Sequence, residues 1–199
     1  MSLLLESIKV HENKIFAWEY HKQRIDRSLR TCYRKDIDSI ISIGNLQKYV
    51  DQLDDQLYKL RIVYDDRSYR VEHHPYKIKP INSLKLVYDD NISYSEKYID
   101  RDALNKLYAR KEKADDILIV KNGLVTDTHY CNVALLKEGQ WYTPAKPLLQ
   151  GVKRQALIDE STIVQSDLLA VDINTYTHIR LFNAMIDFGE VELSGDCIH

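Results

Sequence analysis

The chain is poor in the residues that make flexible or cross-linked proteins. Its 199 residues include only 6 Gly and 4 Pro, so no stretch has the composition of a linker or a low-complexity tail. Three cysteines, Cys32, Cys131 and Cys197, are too few and too scattered for a disulfide framework, and no pair has CxxC spacing. No apolar run approaches the ~18 residues that a membrane helix needs. The opening Met1-Ser2-Leu3-Leu4-Leu5-Glu6 lacks the basic segment and long apolar core of a signal peptide, so the expected compartment is the cytoplasm. A net charge of −2 gives no reason to invoke nucleic acid or an anionic membrane. GxGxxG, P-loop, GxSxG and HExxH patterns are all missing, which leaves nucleotide-binding and serine-hydrolase readings without support. His73 and His74 are adjacent and face opposite ways on a strand, so no metal is assigned.

What is present reads as an ordinary globular chain, 44% hydrophobic and 29% charged, with 14 Tyr against 3 Phe. Leu3 to Val10 alternates as a strand, Glu12-Asn13 turns the chain, and Trp18 to about Tyr33 is helical. Leu46, Val50, Leu53 and Leu57 have helical spacing after Gly44-Asn45. Lys59 to Tyr64 and Ser68 to Val71 form a hairpin across Asp65-Asp66. Pro75 and Pro80 mark a boundary between a small N-terminal α/β lobe, residues 1–78, and a larger strand-rich lobe, residues 79–199. In the second lobe, Ser83 to Tyr88 is a strand and Arg101 to Lys111 a short helix. Asn122-Gly123 stands between Asp116–Val120 and a long run from Leu124 to Leu136, the sequence a type I′ hairpin turn requires. Trp141 to Thr143, Thr162 to Val164 and His178 to Phe182 are short strands, and Gly151 opens a helix to about Glu160. The fold class is therefore α/β (α+β), with two lobes.

Five segments carry the functional signal. They are Lys97-Tyr98-Ile99-Asp100-Arg101, Val125-Thr126-Asp127 with Asn132 following, Tyr142-Thr143-Pro144, Gly151-Val152-Lys153-Arg154, and Phe182-Asn183-Ala184-Met185. An earlier segment, His21-Lys22-Gln23-Arg24-Ile25, adds a His-x-x-Arg pair on the first helix. In this order they resemble the class IV aminotransferase family, the fold-type IV enzymes that use pyridoxal 5′-phosphate (PLP). The resemblance runs from Leu5-Glu6-Ser7 to about Glu190.

The resemblance implies a cofactor cleft and a role for each segment. Lys97 would carry PLP covalently and later move a proton, a pair of tasks that only a lysine combines. Asp127, where the family more often has Glu, would hold the pyridine nitrogen protonated. Gly151, Val152 and Lys153 would offer backbone N–H groups to the phosphate at a helix N-terminus. Asn183 and Ala184 would form a second phosphate turn, and the Arg24 guanidinium a third contact. Glu6, Lys9, Tyr94 and His129 are candidates for the substrate pocket. A homodimer is implied as well.

Two departures from the family pattern shape the functional expectation. The chain starts almost at the Leu5-Glu6-Ser7 counterpart of an internal family motif. And Arg101-Asp102 stands where aminotransferase members place a tyrosine, so that Lys97-x-x-Asp100-Arg101 resembles the aminodeoxychorismate lyase branch. The expected reaction is conversion of 4-amino-4-deoxychorismate to 4-aminobenzoate and pyruvate, in folate biosynthesis. The alternatives are a branched-chain or D-amino-acid aminotransferase, and a non-catalytic member that uses the fold for binding.

Overall fold

Among the described residues, three hairpins close on two-residue turns, and all three have both central residues at positive φ, as type I′ turns demand. Glu12-Asn13 (φ 48° and 56°), Asn122-Gly123 (51° and 75°) and Glu138-Gly139 (50° and 78°) each bend the backbone in the sense that suits twisted strands. The computed structural model describes residues 3–34 and 41–199. Met1 and Ser2, the start of the leader reading above, lie outside the described residues.

The chain divides into two compact units, the first spanning residues 1–78 with Glu96–Asp100 and the second Lys79–Ser95 with Arg101–His199. The single cut expected after residue 78 thus becomes three, because the segment holding Lys97 returns to the first unit.

In the first unit, β1 (Leu4–His11) pairs antiparallel with β2 (Lys14–Ile15) and β3 (Tyr58–Tyr64), and β3 pairs with β4 (Tyr69–Pro75). Helix α1 (Trp18–Tyr33) and helix α2 (Ile43–Val50) cover the sheet. Leu4, Ile8, Val10, Ile25, Leu29, Leu46, Val50, Leu60 and Ile62 form the core. Each such side chain contributes roughly 1.5–3 kcal/mol by leaving water. Helix α2 stops at Val50 instead of running to Leu57. The Asp54 carboxylate accepts from the Gln56 N–H and the Tyr58 hydroxyl, offering a local alternative to the helical ladder. The returning segment is fixed to β1: Leu5 N–H donates to Lys97 O at 2.9 Å and Ile99 N–H to Leu3 O at 2.9 Å.

The second unit holds two sheets. Strand β5 (Leu84–Tyr88) runs parallel to β6 (Asp116–Lys121), with helix α3 (Asp102–Tyr108) between them in sequence, and β6 pairs antiparallel with β7 (Leu124–Thr128). Ile117 to Val120 are fully buried, as a central strand covered on both faces must be. The larger sheet takes β8 (Asn132–Lys137), β9 (Gln140–Pro144), β10 (Val164–Ser166), β11 (His178–Phe182) and β12 (Glu192–Ser194), with helix α4 (Val152–Asp159) between β9 and β10.

The run expected as one strand from Leu124 to Leu136 is two strands in different sheets. Thr128 Oγ1 accepts from the Cys131 N–H at 3.0 Å and closes a turn over residues 128–131. The turn leaves Asp127 at the end of β7 and Asn132 at the start of β8. No helix among the described residues is long and apolar enough to cross a membrane.

Candidate active site

In the first unit, alternation along β1 turns Glu6 inward with Ile8 and turns Lys9 to the other face. Glu6 is fully buried and both of its oxygens are engaged. Oε1 accepts from Arg24 Nε at 2.8 Å, while Oε2 accepts from Arg24 Nη2 at 2.5 Å and meets His21 Nδ1 at 2.6 Å. Burial pushes the Glu6 pKa up, but the Arg24 charge and the hydrogen bonds from Arg24 and His21 prevail and bring it to about 2. Glu6 is therefore the ion that orients Arg24. Lys9, on the opposite strand face, extends over the Phe16 ring.

Arg24 is buried beside Glu6, with Nε and Nη2 both engaged on its carboxylate. His21, Arg24 and Ser28 share the inward face of α1 at i, i+3 and i+7, and Ser28 Oγ donates to Glu96 beside Lys97. Burial lowers the His21 pKa, and the nearby charges of Arg24 and Lys97 lower it further against the pull of Glu6. His21 Nε2 is buried and has no hydrogen-bond partner. Glu96, Ser28 and the Glu6–Arg24 pair were not singled out from the sequence as a cluster. The signal was there in the spacing of three polar residues along an otherwise apolar helix stripe.

In the second unit, Asp127 is buried at the end of β7. Asn132 Nδ2 donates to its Oδ1 at 2.8 Å and the Leu149 N–H donates to its Oδ2 at 2.9 Å. Burial raises the Asp127 pKa to about 6, with these hydrogen bonds and the Arg154 charge opposing. A buried carboxylate fixed by two donors, with no cation in direct contact, is prepared for a cationic partner. Asn132 Nδ2 also donates to Leu149 O at 3.0 Å, so one amide ties β8 to the loop before α4.

Gly151 caps α4 and contributes no side-chain acceptor, so the first-turn N–H groups of Val152 and Lys153 are available to an anion. The Lys153 ammonium is paired with Asp187. That ion pair also ties the start of α4 to the turn at residues 183–187. In this turn Asn183 Oδ1 accepts from Met185 N–H at 2.8 Å and Ile186 N–H at 3.1 Å. Its Nδ2 donates to Tyr130 O at 3.3 Å, so the Asn183 side chain shapes the turn that carries Ala184. Arg154, expected only as part of the helix motif, is buried and donates to Pro144 O at 2.7 Å and to Gln150 and Gln165.

His129 is buried, stacked on Tyr108 at 4.3 Å, and its Nε2 meets Asn105 Oδ1 at 3.0 Å. Burial, then the charge of Arg101, lowers its pKa to about 4, so the ring is neutral near pH 7. Tyr94 is buried with its ring beneath the Arg101 guanidinium.

A buried acid with donors on both oxygens and a helix N-terminus without a side-chain cap are parts that a PLP enzyme uses. The amino-transferase class IV family model matches residues 3–192.

The chain belongs to the class IV aminotransferases.

It is accordingly a PLP-dependent enzyme, a lyase or an aminotransferase, with the fold-type IV architecture. A Haemophilus influenzae protein of uncharacterised function is 34% identical over 92% of this chain and 97% of its own length. A crystal structure from Haemophilus somnus, provisionally described as a 4-amino-4-deoxychorismate lyase, is 32% identical, with a TM-score of 0.86 over 94% of this chain and 97% of that one. A Schizosaccharomyces pombe protein, provisionally described as an aminodeoxychorismate lyase, is 35% identical over 54% of this chain and 56% of its own. The PLP-bound form of a hypothetical aminotransferase from Mycobacterium tuberculosis, 17% identical with a TM-score of 0.78 over 96% of this chain and 80% of that one, has the same fold.

Proposed function

We propose that this class IV enzyme is a lyase that converts 4-amino-4-deoxychorismate to 4-aminobenzoate and pyruvate, as a cytoplasmic homodimer. The observation that carries the reading is Arg101. In the segment from Lys97 it stands where aminotransferase members of the family place a tyrosine, and the Lys97-x-x-Asp100-Arg101 pattern resembles the lyase branch. Two relatives at 32% and 35% identity are provisionally described as lyases of this type, which supports the same choice.

The residues present fit PLP. Asp127 would hold the pyridine nitrogen, the Val152 and Lys153 amides and the Asn183-Ala184 turn would hold the phosphate, and Arg24 is proposed as a further positive charge for it. When bound, the cofactor would supply an aldehyde for the substrate amine and a ring able to accept electrons from the adjacent carbon.

The chain's own residues do the rest. Lys97 Nζ moves the proton that leaves the substrate ring carbon as pyruvate departs. His21, its pKa lowered by burial, and Glu96 stand in the same unit as Lys97, and a neutral His21 adds no positive charge to oppose proton uptake by Lys97. Asp127 provides the fixed negative charge that keeps the ring nitrogen protonated through the step.

The test is the purified protein with PLP and 4-amino-4-deoxychorismate, with both products quantified. Equal release of 4-aminobenzoate and pyruvate, lost in Lys97→Ala, is the expected result. No 4-aminobenzoate, together with amino-group exchange between a branched-chain or D-amino acid and a 2-oxo acid, would make the enzyme an aminotransferase.

A further inference from the structure

Arg101 is a cation without a counter-ion. Among the described residues it has no acidic partner, and its hydrogen bonds go to neutral groups. Nη2 donates to the His129 carbonyl and Nη1 to Tyr94 Oη at 3.4 Å. The guanidinium lies over the Tyr94 ring, 5.4 Å from its centroid, and over the Tyr130 ring, 4.8 Å from its centroid. Nε is buried and has no hydrogen-bond partner. A guanidinium has five N–H donors in one plane, and two of them are used here.

The surroundings suit an anion. Aromatic faces hold a guanidinium in place without neutralising it. Removing part of its hydration makes any carboxylate in its plane more strongly bound than it would be in water. His129, the other polar group of the cluster, is neutral near pH 7 and does not compete for the anion. Its Nδ1 is buried and also without a partner. Tyr130, which covers one face of Arg101, is 64% exposed, so displacing it opens the guanidinium without unpacking the core.

We propose that Arg101, held between Tyr94 and Tyr130 and fixed by the His129 carbonyl, is the receptor for a carboxylate of the substrate. The proposal rests on the lyase reading, whose substrate carries two carboxylates: one on the ring, which remains in the aromatic product, and one that leaves in pyruvate. Arginine suits the task because its fork engages both carboxylate oxygens, which a lysine cannot do.

The test uses the PLP-loaded enzyme and isothermal titration with three probes: benzoate, pyruvate, and benzamide as the uncharged analogue of benzoate. Wild-type protein is expected to bind benzoate or pyruvate and not benzamide. Loss of a charged hydrogen-bond donor in Arg101→Gln should weaken that binding roughly ten- to a hundredfold. Its cofactor absorption and melting temperature should stay those of the wild type. Loss confined to benzoate assigns Arg101 to the ring carboxylate, and loss confined to pyruvate assigns it to the departing group. Arg101→Lys keeps a charge and a donor for the His129 carbonyl, so it should bind more weakly than wild type and more tightly than Arg101→Gln. It carries the test alone if the glutamine variant does not fold, and wild-type affinity there would then overturn the proposal. Equal affinity in wild type and Arg101→Gln, or benzamide bound as well as benzoate, would also overturn it. Turnover of 4-amino-4-deoxychorismate, measured on the same preparations, separates the two claims. Turnover with no carboxylate binding removes Arg101 from its role and leaves the lyase, and Arg101-dependent binding with no turnover removes the lyase and leaves the receptor.

Discussion

A Cβ built on Gly151 lies 1.8 Å from Asn132 Oδ1. The glycine at the start of α4 is therefore required by the amide that holds Asp127, and not by its own backbone, whose φ of −72° suits any residue. Gly151→Ala should fold, since the three atoms nearest that Cβ all belong to the Asn132 side chain, but it should push the amide off Asp127. Losing one hydrogen bond to a buried carboxylate costs about 1–3 kcal/mol, so PLP should bind roughly ten- to a hundredfold more weakly. Titration of the cofactor-free protein with PLP measures this, and wild-type affinity would refute the coupling.

Asp127 makes the cofactor-free protein respond to pH. Its pKa is raised in the folded state from 3.8 to about 6, so its contribution to stability is complete below the ordinary value and is lost as pH rises through about 6. Between about pH 4 and pH 7 the cofactor-free wild type should lose about 3 kcal/mol relative to Asp127→Asn. Paired melting curves across that range test the sign. With PLP present, Asp127→Asn should keep phosphate-anchored cofactor yet turn over orders of magnitude more slowly, because the ring nitrogen loses its counter-ion.

Glu6 behaves in the opposite sense. Its pKa is lowered from 4.5 to about 2, so the Glu6–Arg24–His21 cluster stabilises the fold above the ordinary carboxylate range and fails as pH falls through about 2. Glu6→Gln removes the charge that Arg24 is buried against. Breaking a buried pair on one side costs about 3–5 kcal/mol, which denaturant unfolding at neutral pH should report. A loss within experimental error would mean that Arg24 finds another anion.

The sequence discloses the elements whose signal is local. The apolar spacing of α1 and the Asn122-Gly123 turn between β6 and β7 are found where expected, because period and turn chemistry suffice there. Other features carry no mark in composition or periodicity. Thr128 breaks the run from Leu124 to Leu136 by capturing the Cys131 N–H, and nothing in the β-rich composition of that run marks the break. The Glu6–His21–Arg24 cluster joins two elements, and only packing brings its members together. The return of Glu96–Asp100 to the first unit is likewise fixed by hydrogen bonds to Leu3 and Leu5 rather than by any local motif.

The most direct test of the account is the attachment of the cofactor. PLP added to the purified protein, borohydride reduction and peptide mapping should place the reduced cofactor on Lys97, with a visible absorption band before reduction that is lost in Lys97→Ala while the melting temperature is kept. Cofactor trapped on a different lysine, or a folded protein that shows no band and traps nothing, would contradict the account.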